Sequence, residues 1–250
     1  PFVGYRLEMP MFTVFENLAT FGQSENVRTG PLCEARFAWP LEALGSTRNA
    51  WIPQGTLGYV FAQHDMLVDV LLEGTARLDG GAVIDQHAFV RLRGASPSFD
   101  AILGRAVVNA VWDVRQDDSQ RTLVSLGGDT GLRGFPNQAF YTYGGSRFLA
   151  NFEYRSRPWL LQAIHLGIVA FYDVGTVYRR VVNARVRHDV GAGLRVLFPH
   201  FNRYVFRIDV GVPLDAPGYS VVLGYSSEQG VLLTEAEDQL STSAISPRSR

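Results

Sequence analysis

The segments towards the C-terminal end of this chain alternate apolar and polar residues with a period of two. In one segment Phe148, Ala150, Phe152 and Tyr154 share a parity, opposed by Leu149, Asn151, Glu153 and Arg155. In the next, Val186, His188, Val190, Ala192, Leu194 and Val196 oppose Arg187, Asp189, Gly191, Gly193 and Arg195. In a third, Tyr204, Phe206, Ile208 and Val210 oppose Arg203, Val205, Arg207 and Asp209. Successive side chains of an extended strand point to opposite faces. Each segment is therefore a ribbon with one greasy side and one charged side. A soluble sandwich buries the greasy side and wets the other; a transmembrane barrel gives the greasy side to lipid and the charged side to a hydrated lumen. Which medium the apolar side meets decides the function.

No transmembrane helix is encoded. The most apolar stretch, Trp159 to Val174, is interrupted by Gln162, His165 and Asp173, whereas a helical span needs about 20 mostly apolar residues. A membrane strand needs only about 9–11 alternating residues, a length met repeatedly here. A charge on the lipid face costs about 2–4 kcal/mol at mid-bilayer, so charges should keep to one parity. In the last strands they do, with His188 and Ser220 as mild exceptions.

Composition agrees. Charged residues make up 19% of the 250 residues, below the usual quarter, and apolar residues 46%. The net charge of -1 gives no argument for a nucleic-acid partner. All basic residues are arginine, as a GC-rich coding bias would produce. Cys33 is the sole cysteine, so neither an internal disulfide nor a cysteine metal cluster is implied. The chain starts at Pro1 without a basic-then-apolar leader, which reads as a processed or trimmed product.

Alternation and turn residues predict about a dozen strands. The clearer early ones span residues 4–15, 32–39, 55–62, 66–78, 82–93 and 102–114. In the last of these Ile102, Ala106, Val108, Ala110 and Trp112 share a face opposite Arg105, Asn109 and Asp113. In 66–78 the polar face holds Asp69, Glu73, Thr75 and Arg77. Turns are predicted at 79–81, 94–98 and 213–218. Aromatics sit at expected strand ends (Trp159, Tyr178, Phe198, Phe201, Tyr219, Tyr225), as in a membrane-interface girdle. Residues 126–145 read as one long loop, and loops of that length are more often functional than filler. Residues 1–225 are expected to form one all-β unit, an antiparallel transmembrane β-barrel, and 226–250 a polar, disordered tail.

Sites of bond chemistry are not legible. Gly127-Gly128-Asp129-Thr130-Gly131 lacks the Gly-Lys-Ser/Thr ending of a phosphate loop. His165 and Asp173 lack a Gly-x-Ser-x-Gly elbow to complete a triad. His64-Asp65 and His87 lack the pairing of a metal site. Neither catalysis, nor a cofactor, nor a metal is expected.

The run Leu126-Gly127-Gly128-Asp129-Thr130-Gly131-Leu132-Arg133-Gly134-Phe135 resembles the signature loop of the BamA-like outer-membrane superfamily, also called the bacterial surface antigen family. Asn151-Phe152-Glu153-Tyr154-Arg155 with Pro158 resembles the strand that follows it. Phe171-Tyr172-Asp173-Val174-Gly175-Thr176-Val177 is similar to the family's Phe-x-Asp-x-Gly-x-Val strand. Asp189-Val190-Gly191-Ala192-Gly193-Leu194-Arg195 through Pro199, then Ile208-Asp209-Val210-Gly211-Val212-Pro213-Leu214, are similar to the two strands after that. Each motif alone is weak; their order over residues 126–214 is specific, while residues 1–125 add only a compatible strand pattern.

The resemblance implies an outer-membrane barrel of about sixteen antiparallel strands, usually preceded by periplasmic POTRA repeats. The strands seen here are fewer, and the polar tail departs from the family's usual aromatic C-terminus. The resemblance further implies that the loop folds into the lumen, where Arg133 of the Leu132-Arg133-Gly134-Phe135 motif meets Glu153 and Asp173. Both acids fall independently on the polar parity of their strands, and an arginine fork suits paired carboxylates. Phe171, Gly175, Gly191 and Gly193 are the lumen-facing strand motif, with Gly167, Gly175, Gly191 and Gly193 expected to leave room for the loop.

The implied activity is insertion or translocation of other proteins, with unfolded outer-membrane or secreted clients and outer-membrane lipid as partners. Two other readings stand beside it. One is a passive pore, or a barrel anchoring a passenger domain outside these residues; the other is a soluble all-β binding protein.

Overall fold

The computed structural model describes residues 1–18, 23–100, 104–162, 164–200 and 204–226. The strands are β1 (Phe2–Glu8), β2 (Met11–Glu16), β3 (Ser24–Ala38), β4 (Ile52–Gln63), β5 (Met66–Asp79), β6 (Ala82–Ala95), β7 (Gly104–Gln116), β8 (Leu123–Leu126) and β9 (Phe140–Tyr143). They continue with β10 (Ser146–Ser156), β11 (Trp159–Leu161), β12 (Ile164–Tyr178), β13 (Arg187–Leu197), β14 (Val205–Pro213) and β15 (Ser220–Ser226). A 13-stranded antiparallel sheet carries the path β1-β3-β4-β5-β6-β7-β10-β12-β13-β14-β15. Strands β8 and β9 form a separate two-stranded hairpin. Among the described residues no helix is long and apolar enough to cross a membrane, which says nothing against strands that do.

The stretch 4–15, expected as one strand, is two. It breaks at Met9-Pro10, and both halves lie along β3: β1 pairs its second half and β2 its first. Proline has no N–H to give a ladder, and Gly30 of β3 takes φ 95 opposite the break. Strand β11 likewise continues β10 along β12 after Pro158. The sheet is thus eleven staves, two of them interrupted: β1/β2 along β3 and β10/β11 along β12. Strand β3 begins at Ser24, earlier than expected, and Gly94 and Ala95 continue β6 rather than turning. The sheet is open, with β1 and β15 as its edges. Ile102, Phe201, Arg203 and the tail beyond Ser226 lie outside the described residues.

The apolar parity faces outward. Phe152, Val190, Leu194, Phe206, Ile208 and Val210 are all exposed. On the opposite face Asp173, Asp189, Asp209 and Arg195 have 0% exposure. This is the inverse of a soluble sandwich and the arrangement of a barrel wall. His188, on the outward parity, is hydrogen-bonded to Tyr172 Oη at 2.6 Å, and Trp112 Nε1 donates to Tyr178 Oη at 2.9 Å on the same face.

Because all staves are antiparallel, their connections alternate between two ends. The β7–β10 connection, containing the hairpin, shares one end with the β12–β13 loop. The β2–β3, β4–β5 and β6–β7 turns share the other. Phe15 and Leu18, leading into the β2–β3 turn, fold onto the inner face and pack with Val27, Leu67, Ala95 and Val107.

Candidate functional site: an arginine hairpin against the inner wall

Residues 126–145 are not a bare loop. Strands β8 and β9 pair, and a 3-10 turn at Gly128–Thr130 sits between them. The tip is cross-braced: Gly128 N–H donates to Leu132 O at 2.8 Å, Thr130 Oγ1 to Gly127 O at 2.8 Å, and Asp129 N–H to Asn137 Oδ1 at 2.9 Å. Gly127 and Gly131 take φ 129 and 126, which side chains rarely adopt. A Cβ on Gly131 would overlap the Leu149 side chain of β10. Leu126, Leu132, Phe135 and Leu149 form a buried cluster with Phe140 and Val177 packed on it. Phe135 meets Phe140 edge-on at 4.9 Å between centroids. The hairpin tip is thus fastened to the inner face by apolar packing before any charge is considered.

Arg133 is 3% exposed and reaches β10 and β12. Its Nε donates to Asp173 Oδ2 at 2.8 Å, its Nη2 to Asp173 Oδ1 at 2.7 Å, and its Nη1 to Glu153 Oε1. The backbone N–H of Arg133 adds a 3.3 Å bond to Asp173. The fork therefore engages Asp173 with two parallel bonds and Glu153 with the remaining arm. The guanidinium carbon stands 3.7 Å from the Phe171 ring centroid, a cation–π stack on the same wall. Burial alone would push this guanidinium towards its neutral form. The hydrogen bonds to Asp173 and the charges of Glu153 and Asp173 outweigh it and raise its pKa further.

Asn151 supports the grip from the side. Its Nδ2 donates to Asp173 Oδ1 and to Gly131 O, each at 2.8 Å, and its Oδ1 accepts from Asn109 Nδ2 at 3.2 Å. Arg207 of β14 reaches the 3-10 turn and bonds Asp129 at 2.9 Å. The register explains why these groups meet: Asn109, Asn151, Asp173 and Asp189 are consecutive cross-strand partners on β7, β10, β12 and β13.

The predicted residues Leu132, Arg133, Gly134, Phe135, Glu153, Asp173 and Phe171 are brought together. The glycines divide. Gly175 lies against Leu126 of the hairpin root, with 3.0 Å left for a Cβ. The nearest neighbours of a Cβ would be the Phe171 ring and Val210 at Gly191, and the Arg195–Asp209 ion pair at Gly193, none of them in the loop. The loop backbone instead meets Gly211 of β14, whose Cβ would lie 2.7 Å from Gly134 Cα. Gly134 in turn packs on the Asp189 side chain.

Gly211, Asn151, Asp189 and Arg155 are site residues that sequence reasoning did not single out, although all four carry the inward parity. Asp189 is buried opposite Asp173, and neither of its oxygens has a hydrogen-bond partner among the described residues. Arg155 Nε donates to Glu153 Oε2 at 2.8 Å, placing Glu153 between two arginines. Among the described residues there is no group of histidines, cysteines and acids suited to a metal ion.

No curated protein and no solved structure matches the chain. Residues 121–222, the stretch that holds the hairpin, its clasping acids and the strands from β10 to the start of β15, match the family model described as the Omp85 superfamily domain.

Proposed function

We propose that the protein is an outer-membrane barrel that inserts or translocates other proteins, with its Arg133 hairpin held inside the lumen. One observation carries this reading: a hairpin tip within the Omp85-matched region lies on the charged inner face with Arg133 clasped by Glu153 and Asp173. Desolvating such ions costs several kcal/mol each, about what their mutual attraction returns. The clasp therefore adds little net stability compared with apolar packing, and its use is to fix where the hairpin sits. Handling a client needs no bond chemistry. Sheet edges such as β1 and β15 offer unpaired backbone groups to which an extended client segment could add. Unfolded outer-membrane or secreted proteins are the clients this reading names, with outer-membrane lipid around the wall and POTRA repeats as an upstream unit of the same protein.

The test is reconstitution of the full protein into liposomes, followed by the folding rate of a urea-denatured outer-membrane barrel presented from outside. Acceleration over empty liposomes that is lost in Arg133→Ala supports the reading. No acceleration with a folded, membrane-embedded protein overturns it, and a steady ohmic conductance in that case would favour a pore.

A further inference from the structure

The connection between β12 and β13 carries Arg179, Arg180, Val181, Val182, Arg185 and Val186. All six are exposed, Val181 and Val182 to 75% and 88%. The three arginines form no ion pair with a described residue, whereas the next one along, Arg187, is held by Asp215 at 2.7 Å. A short 3-10 turn at Val181–Asn183 sets this chemistry at the end of the sheet that also bears the hairpin. Immediately below lies the outward aromatic pair Trp112–Tyr178, hydrogen-bonded at 2.9 Å. Beside the loop, Asn183, Arg185 and Arg187 border a cleft of about 300 Å³ against Phe140 and Tyr141 of the hairpin.

In bulk water, exposed valines flanked by unpaired arginines gain nothing from their exposure. They make sense at a membrane rim. There, Trp and Tyr mark the headgroup level, apolar side chains enter the acyl boundary, and guanidiniums meet phosphate in a planar fork.

We propose that the 179–186 loop is a docking surface for phosphate-bearing anionic lipid headgroups, with Val181 and Val182 seated among the acyl chains and Arg179, Arg180 and Arg185 on the phosphate. This rests on the membrane-barrel reading above. A phosphate dianion or monoester is the chemistry recognised, and a lipid is its source, because a free ion would leave the valines without a role. Bound lipid would also line the cleft beside the hairpin.

The experiment uses the full chain folded in a zwitterionic detergent. Its thermal unfolding is followed by loss of the fast-migrating heat-modifiable form. The probes are dihexanoyl phosphatidic acid, dihexanoyl phosphatidylcholine, inorganic phosphate and polyglutamate. Phosphatidic acid should raise the midpoint saturably; the others should not. Arg179→Ser/Arg180→Ser/Arg185→Ser should weaken the apparent affinity about tenfold or more, since each arginine near an anionic surface contributes roughly fivefold. Val181→Ser/Val182→Ser should weaken it with the arginines intact. Should the arginine variant not fold, the wild type decides: its affinity must fall steeply with added salt.

An unchanged affinity in the arginine variant, a salt-independent response, or an equal response to inorganic phosphate overturns the proposal. An equal response to polyglutamate overturns it in favour of an acidic protein partner. A folded, heat-modifiable barrel with no lipid response sinks this inference alone; a chain fully soluble without detergent sinks the barrel reading with it.

Discussion

Arg155 donates a 2.6 Å hydrogen bond from Nη1 to the main-chain oxygen of Leu18, a residue 137 positions earlier that leads into the β2–β3 turn. The same guanidinium holds Glu153 through Nε, and Glu153 holds Arg133. Leu18 and the hairpin enter the inner face from opposite ends of the sheet, so one chain of bonds spans both insertions. Arg105 adds a second tie at the Leu18 end, bonding Glu16 O at 3.0 Å and Asp65 at 2.9 Å.

Arg155→Ala should therefore loosen two distant places at once. It leaves Glu153 with one cation instead of two and the Leu18 carbonyl without its donor. Breaking a buried pair of this kind costs about 3–5 kcal/mol. Limited proteolysis should show faster cutting at residues 16–24 as well as in the hairpin. With Arg133→Ala, the double-mutant cycle should be non-additive by about 1–3 kcal/mol. Strict additivity would mean the two insertions are not linked.

Arg133→Ala and Arg133→Lys separate charge from geometry. Alanine leaves Asp173 without its fork and Glu153 with Arg155 as its remaining hydrogen-bonded cation, again a loss of about 3–5 kcal/mol. Lysine restores the charge but cannot make the two parallel bonds to Asp173 or the flat stack on Phe171. Client insertion should fall in both variants, with lysine recovering barrel stability more than activity. Full rescue of activity by lysine would show that position does not matter.

The close approach of the hairpin to the wall is read most directly at Gly211. A methyl group there would stand 2.7 Å from Gly134 Cα, a backbone atom that cannot rotate away. Gly211→Ala should lift the tip and cost about 1–3 kcal/mol, as overpacking does. Gly55→Ala, where nothing lies within 4 Å, is the control and should be nearly neutral. The measurement is the heat-modification midpoint of each variant beside protease access to Phe135.

How far the sequence reached depended on the range of the interaction involved. Alternation is a local property, and it correctly assigned Asp173, Asp189, Gly191 and Arg195 to one face. It could not say which inward residues meet across strands, because register is fixed by the ladder. Alternation alone therefore does not distinguish Asn151 and Gly211 from other inward residues, nor show that Phe171 and Arg195 fill the space at Gly191 and Gly193. The β8–β9 hairpin is not legible in the sequence, because Phe140–Tyr143 is too short to show a period. The break at Pro10 was legible in principle from the missing N–H, and Leu18's inward fold was not, since its partners lie on β5, β6 and β7.

Asp118, in the turn after β7, fastens the root of the hairpin. Its carboxylate accepts from Gln120 N–H at 3.0 Å and from Thr122 N–H at 2.8 Å. Burial would raise its pKa; these hydrogen bonds outweigh that and hold it below the ordinary 3.8. A lowered folded pKa means the contribution is present above the unfolded value and lost as pH falls through the folded one. Protease cutting at the hairpin root should rise on acidification below about pH 4. In Asp118→Ala it should be raised already at neutral pH and respond little to acid. An identical acid response in both proteins would remove Asp118 from this role.

The outward face offers the sharpest test of the medium. Ile208 and Val210 lie mid-strand on β14 with their side chains exposed, while Asp209 between them turns to the other face and pairs with the buried Arg195. If hydrocarbon covers them, Ile208→Arg should cost about 2–4 kcal/mol of folding stability in lipid bilayers, because the charge sits near mid-membrane. If water covers them, the same substitution falls among ordinary surface changes of about 0.5 kcal/mol or less. Ile208→Val is the matched control, keeping the face apolar. The comparison is made by urea titration of the folded chain in short-chain phosphatidylcholine vesicles. A neutral result for arginine would remove lipid from this face, and with it the hydrated charged interior in which Arg133 is held.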